Sequence, residues 1–375
     1  MNDQRVEQVM LQEARSPLEL PFDVHPDPDE FIRAAMDWHF SPETGSPFWL
    51  ERAASLEFDP LTDVKSFDDL ALFPNVANEL RDVRAEHLIP KGYGPRPDVV
   101  GVYESGGTTG APKRVVLLRD WCDHAVASYV AYMDAQGVPP NRNWLALAPN
   151  GPHMAGELMA RQAAAVGGLR FAIDIDPRWV KKLIAQGRSE EVSAYVEHIL
   201  DQAALVLETQ DIGVLLPTPP LLELLARRDD LVDLIRRKVD VILWGGAHMD
   251  ADTRHIFRTE VFPEAKLYGS YASTMALGGA PERPGLTDDD PCIFDPSSPY
   301  VTFSVIDPAT GGAVDYGERG QIVVNHVSKS FLLPNCLERD IATRIGGHFG
   351  QIGDSVADVA PVQQFEGGDV IEGVY

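Results

Sequence analysis

Tyr103-Glu104-Ser105-Gly106-Gly107-Thr108-Thr109-Gly110-Ala111-Pro112-Lys113 is the stretch on which the reading of this chain turns. Apolar runs flank it: Val99-Val100-Gly101-Val102-Tyr103 before and Val115-Val116-Leu117-Leu118 after. Two short strands around a glycine-rich connection predict a hairpin. Gly106, Gly107 and Gly110 let the backbone turn tightly and aim several N–H groups at one anion. Ser105, Thr108 and Thr109 add hydroxyl donors, and Lys113 closes the loop with a positive charge. The pattern is not a Walker A loop, because Gly-Lys-Ser/Thr is missing, and the glycine spacing is not that of GxGxxG. By composition alone the same residues also suit a flexible hairpin tip.

Working outward toward the C-terminus, Asp120 suits an N-cap that opens a helix near 121–135. Strands are predicted at 144–147, 169–173, 212–216, 239–244 and 265–268. Helices are predicted at 153–166, from about 219, at 231–237, and from an Asp250 cap to about 261. In a further helix Val192, Tyr195, Val196, Ile199, Leu200 and Ala203 share one face. This β–α alternation argues for a parallel, doubly wound sheet. Beyond about residue 283 helices become scarce, and 300–306 and 320–325 read as antiparallel strands. Toward the N-terminus, Pro17, Pro21, Pro26 and Pro28 punctuate a helical and irregular region, with Phe48 and Trp49 packing it onto something larger. The expected division is 1–94, an N-terminal region packed on the core; 95–282, an α/β nucleotide-binding core; and 283–375, a β-rich subdomain.

Composition narrows the partners. The 375 residues are 44% hydrophobic and 24% charged, ordinary for a globular chain, with a formal net charge of −25. Such a charge repels phosphate backbones and anionic lipid, which disfavours nucleic acid and membrane surfaces. A small anion is a different matter, because local N–H groups decide its binding. Cys122, Cys292 and Cys336 form no CxxC pair, and an odd thiol number fits a reducing cytoplasm. The start, Met1-Asn2-Asp3-Gln4-Arg5, has no apolar signal-peptide core. No run reaches the ~20 apolar residues of a membrane span. A homodimer is the base-rate expectation for assembly.

The loop at 105–113 resembles the phosphate-binding signature of acyl-adenylate-forming enzymes: acyl- and aryl-CoA ligases, adenylation domains of peptide synthetases, and luciferases. Motifs over about 95–360 follow the same order. The resemblance implies the large N-terminal domain of that superfamily, with doubly wound sheets plus a small β-rich subdomain. It also implies ATP as cofactor, with Ser105 to Gly110 and Lys113 holding phosphates and Thr109 and Lys113 acting on them. In Ala148-Pro149-Asn150-Gly151-Pro152-His153-Met154, the family places acid-pocket residues at His153 and Met154. Leu243-Trp244-Gly245-Gly246-Ala247 is similar to the small-residue loop along the adenine, glycine there admitting a flat base.

Tyr268-Gly269-Ser270-Tyr271-Ala272 stands where the family has Tyr-Gly-x-Thr-Glu, which implies that Tyr268, Gly269 and Ser270 meet the nucleotide and Tyr271 the acid. Ala272 departs from the pattern. The family's glutamate there serves Mg2+, and alanine has no ligand atom, so the metal site stays unassigned. Gly317-Glu318-Arg319-Gly320-Gln321 resembles a family turn, and Gly353-Asp354 resembles the Gly-Asp whose carboxylate binds the ribose hydroxyls. Glu338-Arg339-Asp340-Ile341-Ala342-Thr343-Arg344 is rich in candidates for active-site ion pairs, but it reads first as a solvated charged turn.

Full-length family members continue into a mobile C-terminal domain, which cannot be placed in the residues after Asp354. The short architecture resembles a subgroup linked to phenazine antibiotic biosynthesis, in the griseoluteic acid pathway. The implied function is activation of an aromatic, phenazine-carboxylate-like acid as an acyl-adenylate for a downstream reductase or carrier. Two alternatives stand beside it. One is a degenerate protein that binds nucleotide or acid without turnover. The other is a fatty acyl-protein synthetase that acylates its own side chain, with Cys336 as candidate.

Overall fold

The computed structural model describes residues 16–106, 111–287, 290–348 and 350–362, and the backbone of 364–365 and 368–369. The expectations for Gly107, Thr108, Thr109 and Gly110 concern residues outside those described.

Helix α1 (Pro28–Phe40) starts where Asp27 accepts the Asp29 and Glu30 N–H groups at 3.1 and 3.0 Å, with proline at the first helical position. It buries Phe31, Ile32, Ala35, Met36, His39 and Phe40, one face of a 3.6-residue period. Helix α2 (Pro47–Ala53) buries Trp49. Both helices are pinned far along the chain. Trp38 Nε1 donates to Lys329 O at 2.8 Å, Trp49 Nε1 donates to Leu332 O at 2.9 Å, and His39 Nε2 meets Ser328 O at 2.7 Å.

Strands β1 (Val99–Glu104) and β2 (Arg114–Leu118) form the predicted antiparallel hairpin. Helix α3 (Arg119–Ala135) follows directly, starting earlier than expected. Asp120 is not its N-cap; its carboxylate accepts the Ser330 hydroxyl at 2.6 Å and the Tyr93 hydroxyl, a tertiary use that local pattern does not reveal.

The alternation then proceeds through β3 (Asn143–Leu147), α4 (Met154–Ala165), β4 (Arg170–Ile173), α5 (Pro177–Ala185), α6 (Ser189–Thr209) and β5 (Ile212–Leu216). It continues through α7 (Pro219–Ala226), α8 (Asp229–Lys238), β6 (Val241–Gly245), α9 (Ala251–Ile256), β7 (Lys266–Ser273) and β8 (Gly278–Pro281). Asp250 caps α9, accepting Thr253 N–H at 2.8 Å, and the helix ends in a π turn over Phe257–Val261. The sheet order is β4-β3-β5-β6-β7-β8, parallel except for β8. All five residues of β5 are buried, as both-face coverage of a parallel sheet requires. From β4 the chain returns across β3 to β5. The strand order therefore reverses beside β3 and opens a crevice at the carboxyl ends of β3 and β5, where ligands bind in such sheets.

The second sheet is antiparallel, in the order β10-β11-β12-β13-β9, built from β9 (Ile293–Phe294), β10 (Val301–Ile306), β11 (Arg319–Val327), β12 (Leu332–Ile345) and β13 (Ser355–Pro361). On β11, Gln321 pairs with Ile341 and Val323 with Leu337. A step of two residues on one strand (323 − 321) answers a step of four on the other (341 − 337). Glu338, Arg339 and Asp340 therefore bulge from the ladder. This corrects the expectation of a solvated turn at 338–344: the charges ride on a strand, and none of these residues is fully exposed.

A third feature joins the N-terminal region to both sheets. His326 on β11 bonds Ala276 O and the Ser328 hydroxyl, each at 2.8 Å. Trp121 lies 4.5 Å from the His326 ring and 5.0 Å from that of His124, which is 4.3 Å from Tyr300. Burial pushes His39 and His124 down to about 4 and His326 to about 3, so all three are neutral imidazoles. Among the described residues no helix is long and apolar enough to cross a membrane.

Candidate active site

A cavity of about 250 Å³ occupies the crevice at the carboxyl ends of β3 and β5. His153 and Met154 line it, with Tyr129 and Met159 from the helices and Thr218 and Gly246 from the strand ends. His153 precedes the first turn of α4, its N–H donating to Asn150 O at 2.8 Å. Burial and the nearby Arg178 hold its imidazole below the usual range. Glycine is obligatory in the loop after β6. A Cβ on Gly245 would stand 2.8 Å from Ser270 O, and Gly246 has φ +83°.

A smaller cavity of about 90 Å³ adjoins it, lined by Ala247, Tyr271, Arg339 and Asp340 among others. Both cavities are bounded by Trp244, Gly246, Ser270 and Ala272, so they share one wall. The bulge of β12 faces this wall. The Tyr271 hydroxyl donates to Asp340 Oδ2 at 3.0 Å, and the Ser273 hydroxyl donates to Glu338. Burial raises the Glu338 carboxyl above its usual range and Asp340 adds to it, while Ser273, Lys113 and Arg339 oppose the rise. Burial likewise raises Asp340, opposed by Arg339 and the Tyr271 hydroxyl. The charge of Lys113, at the end of the hairpin loop, is thus felt at the bulge.

The neck of that loop is fastened on both sides. Ser105 N donates to Lys113 O at 2.9 Å, and Lys113 N donates to Ser105 Oγ at 3.0 Å. Glu104 pairs with Arg114 at 3.0 Å and with Arg178 at 2.9 Å, and Arg178 also donates to Ser105 O at 3.1 Å. Glu104 N donates to Pro152 O at 2.7 Å, tying the hairpin to the His153 loop. Ser105, Gly106 and Lys113 therefore stand beside the crevice, with Gly245, Gly246, Ala247, Ser270 and Tyr271 around its shared wall.

Three expected residues are elsewhere. The Tyr268 hydroxyl donates to Gln136 O at 3.2 Å at the end of α3, and its ring lines neither cavity. Gly269 is needed because a Cβ there would meet Trp244 Cζ2 at 2.6 Å, and its N–H goes to Glu282 at 2.7 Å; its role is packing. Asp354 is 4% exposed and spent on the second sheet, pairing with Arg344 at 2.9 Å and accepting Val305 N–H at 3.2 Å. The smaller cavity is instead lined by Asp340 and Asp358, and of these Asp340 rides on the bulge and accepts the Tyr271 hydroxyl. The sequence marked its segment as a source of ion pairs, but the bulge that turns Asp340 to the cavity has no local signature.

No family model matches the chain, and no curated protein matches it in sequence. Solved structures match its fold. 2-Hydroxyisobutyryl-CoA ligase in the postadenylation state, in complex with R3-HIB-AMP, gives a TM-score of 0.62 at 16% identity, covering 92% of this chain and 73% of that one. An open conformation of the same ligase with 2-HIB-AMP and CoA gives 0.62 at 15%, covering 95% and 85%. Its thioesterification state, also with 2-HIB-AMP and CoA, gives 0.63 at 15%, covering 96% and 75%. The fold is the mixed α/β fold of the N-terminal domain of adenylate-forming enzymes.

Proposed function

We propose that this chain activates a carboxylic acid with ATP, forming an acyl-adenylate and releasing pyrophosphate. The observation that carries this reading is the wall of Trp244, Gly246, Ser270 and Ala272 shared by the two cavities, beside a glycine-rich loop. A nucleotide in the smaller cavity and an acid in the larger one would bring the carboxylate to the α-phosphate. A carboxylate oxygen attacks α-phosphorus, the bond from α-phosphorus to the β-bridging oxygen breaks, and that oxygen leaves on pyrophosphate. Positioning and charge neutralisation dominate such steps.

Gly245, Gly246 and Ala247 would face the base. Asp340, as an acceptor for a diol, would take the ribose hydroxyls in place of Asp354. Lys113, with Thr109 of the same loop, would hold the leaving phosphates. Magnesium at nucleotide sites uses one or two carboxylates together with phosphate oxygens and water. Ala272 offers no ligand, and Glu338, which accepts the Ser273 hydroxyl one residue along, is the carboxylate that would serve the ion in its place. Magnesium bound there would neutralise the triphosphate.

The larger cavity suits an aromatic acid, phenazine-carboxylate-like in shape, lying between Tyr129, Met154 and Met159, with a reductase or carrier as the onward acceptor. Cys336 is 1% exposed in the hydrophobic core, which argues against a self-acylating synthetase with this thiol as acceptor. Ala272 keeps one second reading open, a binder without turnover. Acid-dependent exchange of labelled pyrophosphate into ATP tests both. Exchange with an aromatic acid, abolished in Lys113→Ala, is the expected result. ATP binding without exchange for any acid would give the site to the binder.

A further inference from the structure

We propose that Arg178, Lys181 and Arg339 form the receiving site for the β- and γ-phosphates of ATP and then for free pyrophosphate, alongside the glycine-rich loop. The inference rests on the reading of this chain as an ATP-using protein and adds three residues from outside the loop.

Cations are scarce in this chain, 32 against 57 acidic groups, yet three converge at one place. Helix α5 delivers two of them. Asp176 caps it, accepting the Arg178 and Trp179 N–H groups at 3.0 Å each, and Pro177 begins it. Burial of Val180 and Leu183 fixes its rotation, so positions 178 and 181 share a face three residues apart. Arg178 reaches the Ser105 carbonyl at the loop neck. Lys181 lies half-buried one helical turn from Arg178, and burial together with the charges of Arg339 and Arg178 pushes its ammonium down to about 8.

The bulge of β12 delivers the third cation. Arg339 Nη1 is buried and has no hydrogen-bond acceptor, and the nearest carboxylate, on Asp340, is 3.9 Å from Nε. A buried guanidinium N–H without an acceptor costs free energy, and so does gathering like charges out of water. A polyanion relieves both. Before reaction the three cations would balance the triphosphate; afterwards they would hold the leaving pyrophosphate.

Titration calorimetry with ATP, pyrophosphate and AMP on the wild-type chain, Lys181→Met, Arg339→Met and Lys181→Arg tests this. Loss of one charge-assisted contact weakens ATP and pyrophosphate binding by about 10- to 100-fold in each methionine variant. AMP affinity stays unchanged, and Lys181→Arg retains ATP binding. Methionine variants that keep full ATP and pyrophosphate affinity, or that lose AMP in equal measure, overturn the inference. A wild-type chain that binds neither ATP nor AMP overturns the functional reading beneath it instead.

Discussion

Two regions of this molecule bury polar side chains, and they handle them in opposite ways. At the junction of α1, α3 and β11, His39, His124 and His326 are held neutral against aromatic rings and backbone carbonyls. At the bulge of β12, Glu338, Arg339 and Asp340 carry their charges into a half-buried wall, and one guanidinium N–H finds no acceptor. Among the described residues the junction leaves only a neutral ring nitrogen, His39 Nδ1, without a hydrogen-bond partner, whereas the bulge leaves a charged guanidinium N–H so. The two regions also respond to pH with opposite sign. The junction is stressed by acid and the bulge by neutrality.

The largest effect expected is on the junction side. Trp49→Ala removes a buried ring and its bond to Leu332, and should lower unfolding free energy in urea by about 3–5 kcal/mol. ATP affinity of the folded fraction should not change; a parallel fall would dissolve the distinction between the regions. Next comes the pair of aspartates. Asp340→Asn should weaken ATP and AMP binding about 100-fold without lowering the unfolding midpoint, since burial raises this carboxyl too. Asp354→Asn should do the reverse, since its partners are Arg344 and Val305.

Acid sharpens the contrast further. The junction histidines have folded values below the unfolded 6.5, so between about 4 and 6.5 the unfolded chain binds more protons for His39 and His124. Stability is present above the unfolded value and falls with pH below it, by roughly 2 kcal/mol per histidine at about pH 5. Denaturant titration across that range measures the slope; a flat profile would mean the imidazoles are not sequestered.

Glu338 behaves inversely. Its folded value is raised, so its contribution is lost as pH climbs through that value, and the ionised group costs stability at neutrality. Glu338→Gln should therefore raise the neutral-pH unfolding free energy by about 0.5–2 kcal/mol, while reducing the magnesium dependence of ATP binding. A destabilised variant would assign Glu338 to the fold.

Much of the architecture was legible because it repeats. The strands of the parallel sheet are apolar runs separated by helical periods, and Asp250 announces α9 by chemistry that a cap requires. The glycine-rich loop marks itself by composition. What failed was anything set by which face or register a residue receives. Tyr268 shares the face of Ser270 and Ala272 but sits nearer the start of β7, where its hydroxyl is spent on Gln136, short of the shared wall. Gly353-Asp354 has the right dipeptide, but pairing with β10 commits its carboxylate to Arg344. Asp120 was misread for the same reason, since its partners Tyr93 and Ser330 are remote in sequence.

The bulge at 338–340 has a consequence for how such a site changes over time. Pairing resumes on either side of it, Leu337 with Val323 and Ile341 with Gln321, whatever the three residues between happen to be. The strand therefore offers a slot whose contents can be exchanged without renegotiating the sheet. A carboxylate can enter such a slot through a single codon, on another strand and far along the chain from the loop after β6. Chemistry can thus migrate across the protein while its scaffold stands still, and relatives with equivalent sites can share almost no aligned residues within them.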